Sequence, residues 1–145
     1  EVDKKIYKES IDTMFDSNNC GMIITTGGFF KKGIELRNQL KKLKSNWGIK
    51  NLTQIAPIDE SQILELLKRY SSVIILEENV NRGGIGSSIL EIINDYNLNI
   101  KVLRINLGKN FTDHGTRDYL HSRLQIDIPS IVDKVKKKWP DLITL

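Results

Sequence analysis

Residues 73–93, VIILEENVNRGGIGSSILEII, join an apolar run to a helical pattern through two glutamates and a glycine-rich turn. The run at 73–76 is apolar at every position, which is typical of a central parallel strand with helices covering both faces. Ile85, Ile89 and Ile92 recur at helical spacing, so a helix is predicted after the turn. A strand that leads through a short turn into a helix is the repeating unit of an α/β domain.

The same alternation continues along the rest of the chain. Short β-rich runs at 22–26, 52–55 and 100–107 predict further strands. Apolar residues at helical spacing predict helices between them, and the first of these helices is expected to end at Trp47 with Gly48 as its C-cap. We therefore predict a three-layer α/β fold, in which a mostly parallel sheet lies between two layers of helices.

Two predicted helices begin with capping signals. Asp59 and Gln62 have the spacing of a capping box, in which each side chain can satisfy a free backbone N–H at the helix start. Asp127 followed by Pro129 is expected to open the last helix of the chain.

The run at 100–107, IKVLRINL, differs from the other predicted strands because its two faces differ in polarity. Leu103 and Ile105 point to one face, and Arg104 and Asn106 point to the other. A half-polar face suits a strand near the edge of the sheet or beside solvent.

The glycine-rich turn is the first candidate site, because doubly wound sheets bind ligands beyond the carboxyl ends of their strands. Gly83 and Gly84 permit a sharp turn, and Gly86 and Ser87 place free N–H groups at a helix start, which attracts anions. The sequence nevertheless lacks the third glycine of a dinucleotide fingerprint and the lysine of a P-loop. Two interpretations stay open: an anion site, or a turn built for close packing and contact with a partner.

Three titratable side chains are further candidates for contact with a ligand or a partner. Glu77 and Glu78 are neighbours on a strand, so their side chains point to opposite faces and do not form an acid–base pair. We expect one of them to turn inward and accept from backbone N–H groups, and the other to face a partner. His114 lies in a polar loop and is a better candidate than His121. No metal-ligating residue is assigned, because no metal-ligand spacing is satisfied. No catalytic or cofactor-binding residue is assigned either.

The net charge of +4 comes mainly from lysines in three clusters, at 31–32, 41–44 and 134–138. A nucleic-acid-binding protein gathers such charge on one face, with aromatic side chains that stack on bases. These clusters lie on different predicted helices and lack interleaved aromatic residues. We interpret them as solvated helix faces and expect no nucleic-acid partner.

Cysteine usage and hydropathy indicate the compartment. The single cysteine, Cys20, cannot form an internal disulfide, which favours a reducing environment. No apolar run approaches the ~20 residues that a membrane helix needs. We expect a cytoplasmic protein without a membrane partner.

Four motifs occur in an order that resembles the C-terminal domain of the transketolase family of thiamine-diphosphate enzymes. They are ITTGG at 24–28, APID at 56–59, ILEENVNRGGIGSSILE at 75–91 and FTDHG at 111–115. The family includes transketolase, 1-deoxy-D-xylulose-5-phosphate synthase and the β subunits of 2-oxoacid dehydrogenases. The resemblance covers residues 5–138, and the APID and FTDHG motifs favour the deoxyxylulose-phosphate synthase branch.

The resemblance implies a five-stranded sheet with one antiparallel strand, for which 100–107 is the candidate, and a domain at 21–145 after a linker or helix at 1–20. It also implies that thiamine diphosphate and Mg²⁺ bind to other domains, because the chain lacks the Gly-Asp-Gly…Asn stretch that holds them. The expected partners are those other domains or subunits, a second copy in a homodimer, and a sugar-phosphate or 2-oxo-acid substrate.

Three functions follow from these observations. The chain is a fragment or split subunit of a transketolase-type transferase, a stand-alone anion- or nucleotide-binding module, or a docking domain of a 2-oxoacid dehydrogenase β subunit. In the first case the domain supports dimer assembly and the rim of the active site through Glu77, Glu78, Gly83, Gly84, Gly86, Ser87 and His114.

Overall fold

Parallel β-sheet forms the middle layer of the protein, in the residues that the computed structural model describes, 20–52, 57–78, 83–107 and 114–143. The strands are β1 (Gly21–Thr26), β2 (Trp47–Leu52), β3 (Ser72–Leu76) and β4 (Lys101–Ile105). They are hydrogen-bonded in the order β2-β1-β3-β4, and all three pairings are parallel. The carboxyl ends of the four strands therefore meet at one edge of the sheet.

Helices cover both faces of this sheet. In chain order they are α1 (Phe30–Lys42), α2 (Glu60–Leu67), α3 (Ile85–Asp95), α4 (Arg117–Arg123) and α5 (Ile128–Lys138), with short 3₁₀ turns at Gly27–Phe29 and Pro140–Leu142. Buried side chains of α1 and α5 share one core cluster with Ile23 and Ile74. Those of α2 and α3 share a second cluster with Met22, Ile24, Val73 and Ile75. The predicted α/β fold with a parallel sheet between helices is confirmed.

Strand alternation explains why the two clusters separate. Every residue of β1 and β3 is buried, and neighbouring side chains along each strand enter opposite clusters. Full burial of a large apolar side chain contributes roughly 1.5–3 kcal/mol relative to leaving it exposed. A polar residue at 22–24 or 73–76 would remove one such contribution from either cluster, whereas the buried polar residues Thr25, Thr26 and Ser72 lie at the ends of the two strands.

The expected helix starts are present. Asp59 accepts a hydrogen bond from the backbone N–H of Gln62 at 3.0 Å, and Asp127 accepts one from Ser130 at 2.9 Å. Pro129 lies in the first turn of α5, as predicted. The lysines of the second and third clusters lie in part in the last turns of α1 and α5, where positive charge suits the helix dipole.

The prediction for Trp47 and Gly48 is wrong. α1 ends at Lys42, and Trp47 and Gly48 are the first two residues of β2, paired with Gly21 and Met22 of β1. Of the strand predicted at 52–55, only Leu52 lies in β2, and the rest falls outside the described residues. Trp47 mimics a helical position because it belongs to the same apolar core as α1; its ring centroid lies 5.5 Å from that of Trp139.

Residues 100–107 contain β4, an outer strand of the described sheet, which agrees with the predicted position near an edge. The strand is not antiparallel, however, because β4 pairs in parallel with β3 over its whole length. A fifth strand does not occur within the described ranges, and the linker or helix expected at 1–20 lies outside them except for Cys20. None of the helices in the described part of the chain has the length and apolar character that crossing a bilayer requires.

Candidate functional site

Glu77 lies at the carboxyl edge of the sheet, directly after β3. Its backbone N–H donates to Ile105 at 3.1 Å, which continues the pairing of β3 with β4 by one residue. Only 2% of the residue is exposed, so its carboxylate lies inside the protein. A buried carboxylate is costly unless it is paired and hydrogen-bonded, and the surrounding groups supply both.

Two donors reach the same oxygen of Glu77. The backbone N–H of Gly86, in the first turn of α3, donates to Oε1 at 3.3 Å. Arg104 of β4 approaches Oε1 with Nη2, also at 3.3 Å, and the same nitrogen lies 3.4 Å from the hydroxyl of Ser87. Glu77 thus provides the negative charge that the positive end of a helix attracts. We call Glu77, Gly84, Gly86, Ser87 and Arg104 the Glu77 cluster.

The position of the Glu77 carboxylate explains why residues 84 and 86 are glycines. A Cβ atom at Gly84 would overlap the Glu77 carboxylate, and one at Gly86 would lie 2.7 Å from Glu77 Oε1 and would overlap Arg104. Gly84 has ordinary extended backbone, with φ −87° and ψ −179°. Close approach, rather than an unusual backbone conformation, therefore requires glycine at these two positions.

Gly83 is required for its backbone conformation and not for close approach. Its φ is +76°, in the left-handed region, and a Cβ atom there would meet no atom within 4 Å. The sharp turn predicted for the glycine pair thus comes from Gly83, and the close packing comes from Gly84.

We expect Gly83→Val to lower the free energy of unfolding by about 1–2 kcal/mol, the cost of left-handed backbone for an L-residue. Gly83→Asn is the matched control and should cost less, because asparagine adopts this conformation readily. Urea unfolding of the two variants measures the difference, and equal losses would contradict the assignment of backbone strain to this position.

Glu78 points away from this cluster, although β3 ends at Leu76 and the two glutamates are not on a strand as predicted; Glu78 lies in the bend that follows. Its side chain is 39% exposed, and Oε2 accepts a hydrogen bond from Arg117 of α4 at 2.5 Å. The other oxygen, Oε1, lies 4.0 Å from Nε2 of His121. Glu78 therefore links the end of β3 to α4.

His121 is the buried histidine of the described residues. Its Nδ1 lies 3.0 Å from Nζ of Lys32 on α1, and its ring packs edge-on against Phe29, with centroids 5.6 Å apart. Lys32 also donates to the backbone carbonyl of Ile126 at 2.6 Å. Burial lowers the pKa of His121, and the positive charges of Lys32 and Arg117 lower it further.

An open groove of about 550 Å³ lies beside His121. It lies between the 3₁₀ turn after β1 and the starts of α4 and α5. Its walls include Lys32, Arg117, His121 and Asp127, and Gly28 stands at its rim. Opposite charges are mixed on these walls, so the cavity does not have the single-sign character of a simple anion site.

We expect the chain to lose stability when the pH is lowered, because His121 has a lowered pKa in the folded state. Because the folded-state pKa of His121 is lowered, the unfolded chain binds more protons as the pH passes below the ordinary histidine value of about 6.5. Melting temperatures of the native chain and of His121→Gln, compared at neutral and mildly acidic pH, measure this effect. The native chain should lose more stability than the variant, and an equal or smaller loss would contradict the direction.

Residues 18–131 match the family model described as "Transketolase, C-terminal domain". The match covers well over half of the 145 residues. The chain belongs to the transketolase C-terminal domain family.

Curated relatives of this transketolase C-terminal domain include 1-deoxy-D-xylulose-5-phosphate synthases. The enzyme of Clostridium tetani is 33% identical over 115 residues, which cover 79% of this chain and 19% of the relative. That of Caldanaerobacter subterraneus is 32% identical over 120 residues, which cover 83% of this chain and 19% of the relative. The chain thus spans about a fifth of the length of these relatives.

Solved structures support the fold of this transketolase C-terminal domain. A split-gene transketolase in an inactive β4 tetramer superposes with a TM-score of 0.73 at 20% identity, and covers 83% of this chain and 39% of the other. A transketolase from Campylobacter jejuni superposes with a TM-score of 0.57 at 16% identity, and covers 85% of this chain and 17% of the other. At these identities the likeness concerns the fold alone.

The predicted site residues of this transketolase C-terminal domain fall into separate places. Glu77, Gly84, Gly86 and Ser87 meet in the Glu77 cluster, and Gly83 is exposed beside it. Glu78 faces α4 instead, and His114 is exposed ahead of α4.

Sequence reasoning assigned no contact to Arg104 or Arg117 of the transketolase C-terminal domain. It interpreted Lys32 as part of a solvated helix face and ranked His121 below His114, whereas Lys32 is half-buried and His121 is buried. The polar face of 100–107 was the available signal for Arg104. In contrast, the residues that Lys32 meets lie 89 and 94 positions away, and no local pattern indicates such a contact.

Proposed function

We propose that the chain is the C-terminal domain of a thiamine-diphosphate-dependent transketolase-type transferase, a 1-deoxy-D-xylulose-5-phosphate synthase or a transketolase. In this proposal the domain, at 21–145, serves dimer assembly and support of the active site, and does not bind the cofactor. Family membership and the greater length of the relatives support it. The enzyme would be a cytoplasmic homodimer that acts on a sugar phosphate.

The observation that favours a supporting role of this domain over a stand-alone anion site is the Glu77 carboxylate at the start of α3. It accepts a hydrogen bond from Gly86 and pairs with Arg104, so the positive end of the helix already has a negative partner. A phosphate group placed there would meet a carboxylate with 2% exposure. The geometry therefore favours a turn built for packing over an anion or nucleotide site.

The described residues do not fit a Mg²⁺ site. Within them, no three acidic, histidine or cysteine side chains gather in the way that a metal site needs. We therefore assign the cofactor to the other domains of the enzyme and derive no reaction step through this one.

A contact surface at the carboxyl edge suits the supporting role. Gly28, Glu78, Arg117 and Tyr119 are exposed there, and Tyr119 is 55% exposed. Aromatic residues and arginine are enriched at protein interfaces. Gly28 has no side chain, so another chain can approach its backbone closely. We infer that this surface contacts a neighbouring domain or subunit.

Light scattering of the complete enzyme tests the proposal. Arg117→Glu should weaken the association of subunits or domains, because it replaces an exposed interface cation by an anion beside Glu78. Lys101→Glu, an exposed charge reversal at the opposite edge of the sheet, is the matched control and should leave the molecular mass unchanged. Equal masses for the native enzyme and Arg117→Glu would contradict the interface.

Calorimetry of the 145-residue chain tests the second half of the proposal. We expect no heat of binding with thiamine diphosphate and Mg²⁺. Binding of the cofactor by this chain would contradict the assignment to other domains, and binding of a nucleotide or inorganic phosphate would support a stand-alone anion-binding module instead. Co-purification with an acyltransferase core would favour a 2-oxoacid dehydrogenase subunit.

A further inference from the structure

Lys32 has an unusual set of neighbours for a surface lysine. It is half-buried on α1, and its Nζ lies 3.0 Å from His121 Nδ1 and 2.6 Å from the carbonyl oxygen of Ile126. The ring of Phe29 covers one side, with its centroid 5.3 Å from Nζ. Lys32 is therefore held in place at its reactive atom.

The direction of this hydrogen bond sets the tautomer of His121. A lysine ammonium can only donate, so Nδ1 must be the unprotonated nitrogen and the ring hydrogen lies on Nε2. Nε2 faces Oε1 of Glu78 at 4.0 Å, and Arg117 fixes the other oxygen of Glu78. The amine and the imidazole thus lie within hydrogen-bond distance, as a nucleophile and its general base do, whereas Glu78 at 4.0 Å is too far from Nε2 to hydrogen-bond to it.

In the 145-residue chain without the neighbour proposed above for Gly28 and Arg117, the open groove beside His121 gives small molecules access to this amine. It measures about 550 Å³, and Lys32, His121 and Arg117 contribute to its walls. The charged groups around Lys32 and along the walls are two cations, Lys31 and Arg117, and four carboxylates, Glu35, Glu78, Asp118 and Asp127. Lys31 and Arg117 can take up the negative charge of a phosphate leaving group.

The directions of both pKa shifts favour the reaction. Burial lowers the pKa of Lys32, although the charge of Asp127 opposes this, so more of the amine is uncharged than in an ordinary lysine. Burial likewise lowers the pKa of His121, which leaves Nδ1 free to accept a proton.

We propose that Lys32 is a selective modification site, acylated at Nζ by small acyl phosphates with His121 as the general base. The Nζ lone pair attacks the acyl carbon, the N–C bond forms, and the C–O bond to phosphate breaks. Inorganic phosphate leaves with the electron pair of that bond. The proton lost from Nζ passes to His121 Nδ1 and then to water.

Lys134 is a matched internal control. It is half-buried, donates to the carbonyl oxygen of Gln125 at 2.8 Å, and has a pKa lowered by burial. Lys134 and Lys32 are both half-buried, and both donate to backbone carbonyls of the same turn, at Gln125 and Ile126. Only the contact of Lys32 with His121 distinguishes their hydrogen bonds. Any excess reactivity of Lys32 over Lys134 therefore measures the effect of the histidine.

Acetyl phosphate and mass spectrometry test the proposal on the full 145-residue chain. The initial rate of acetylation at Lys32 should exceed that at Lys134 by at least about tenfold, below the roughly 10²–10⁴-fold range for a well-placed general base. The excess should shrink as the pH falls and His121 becomes protonated. A rate at Lys32 no greater than at Lys134, or a ratio that does not change with pH, would overturn the proposal.

His121→Gln provides the second measurement. Glutamine can accept the hydrogen bond from Lys32 but cannot take its proton, so the rate at Lys32 should fall to that of Lys134. Circular dichroism shows whether the variant is folded. An unchanged rate in the folded variant would refute the role of His121; if the variant does not fold, the pH dependence of the native ratio decides.

Discussion

Replacement of Gly84 by valine should lower the free energy of unfolding by about 2–3 kcal/mol, the upper part of the range for overpacking a close-packed interior. The new side chain would overlap the carboxylate of Glu77, which Gly86 and Arg104 hold in place. The backbone of Gly84 is extended and suits valine, so the loss reports the contact and not backbone strain.

Gly28→Val is the control for this prediction. A Cβ atom at Gly28 would meet the ends of the Arg117 and Glu78 side chains at 3.2 and 3.3 Å. Both are exposed and can move aside, so the cost should stay within about 0.5 kcal/mol. Urea unfolding gives both values, and light scattering of the complete enzyme shows any effect of Gly84→Val on subunit association. An unchanged melting temperature together with an unchanged mass would rule out a packing and interface role for the turn.

Arg104→Met should have a similarly large effect. Breaking a buried ion pair by removing one partner typically costs about 3–5 kcal/mol, because the other charge stays buried. Since 18% of the Arg104 side chain is exposed, we expect a smaller loss of about 2–3 kcal/mol. Methionine keeps much of the apolar length of arginine, so the change removes mainly charge and hydrogen bonds.

A double-mutant cycle with Glu77→Gln isolates the pair. The double variant should be more stable than the sum of the two single losses predicts, because no uncompensated charge remains in it. Arg117→Met removes the exposed partner of Glu78 and should cost no more than about 1 kcal/mol. Additive losses at Glu77 and Arg104 would show that the two side chains are not coupled.

The parts of the fold that follow from local pattern were predicted correctly. Residues 73–76 are apolar at every position, and such a run has few solutions other than a strand covered on both faces. The caps at Asp59 and Asp127 depend on residues three positions away, which the sequence displays directly.

Errors arose where a distant contact decides the structure. Trp47 follows the helical spacing of α1, but Trp139 and the pairing with β1 place it in a strand. In 100–107 the polar face indicated an edge strand correctly. The direction of that strand relative to β3 depends on the crossover through α3. The alternation of polar and apolar residues is the same in a parallel and an antiparallel strand, so it could not predict this direction.

The candidate site was predictable only in part. The inward turn of one glutamate followed from strand geometry, and Glu77 shows it. The identity of its charged partner, 27 residues away on β4, did not follow. The choice of His114 over His121 depended on loop polarity, whereas burial against α1 gives His121 its environment.

The order of the strands has a consequence for synthesis on the ribosome. β1 and β2 can pair once residue 52 has emerged, but the second edge of β1 stays open until β3 follows. The carboxylate of Glu77 cannot form its ion pair until Arg104 has emerged, and Arg104 is the last member of the Glu77 cluster to do so. We expect a nascent chain stalled before β4 to remain protease-sensitive and dependent on chaperones, although three of the four strands in the described part of the chain are already made.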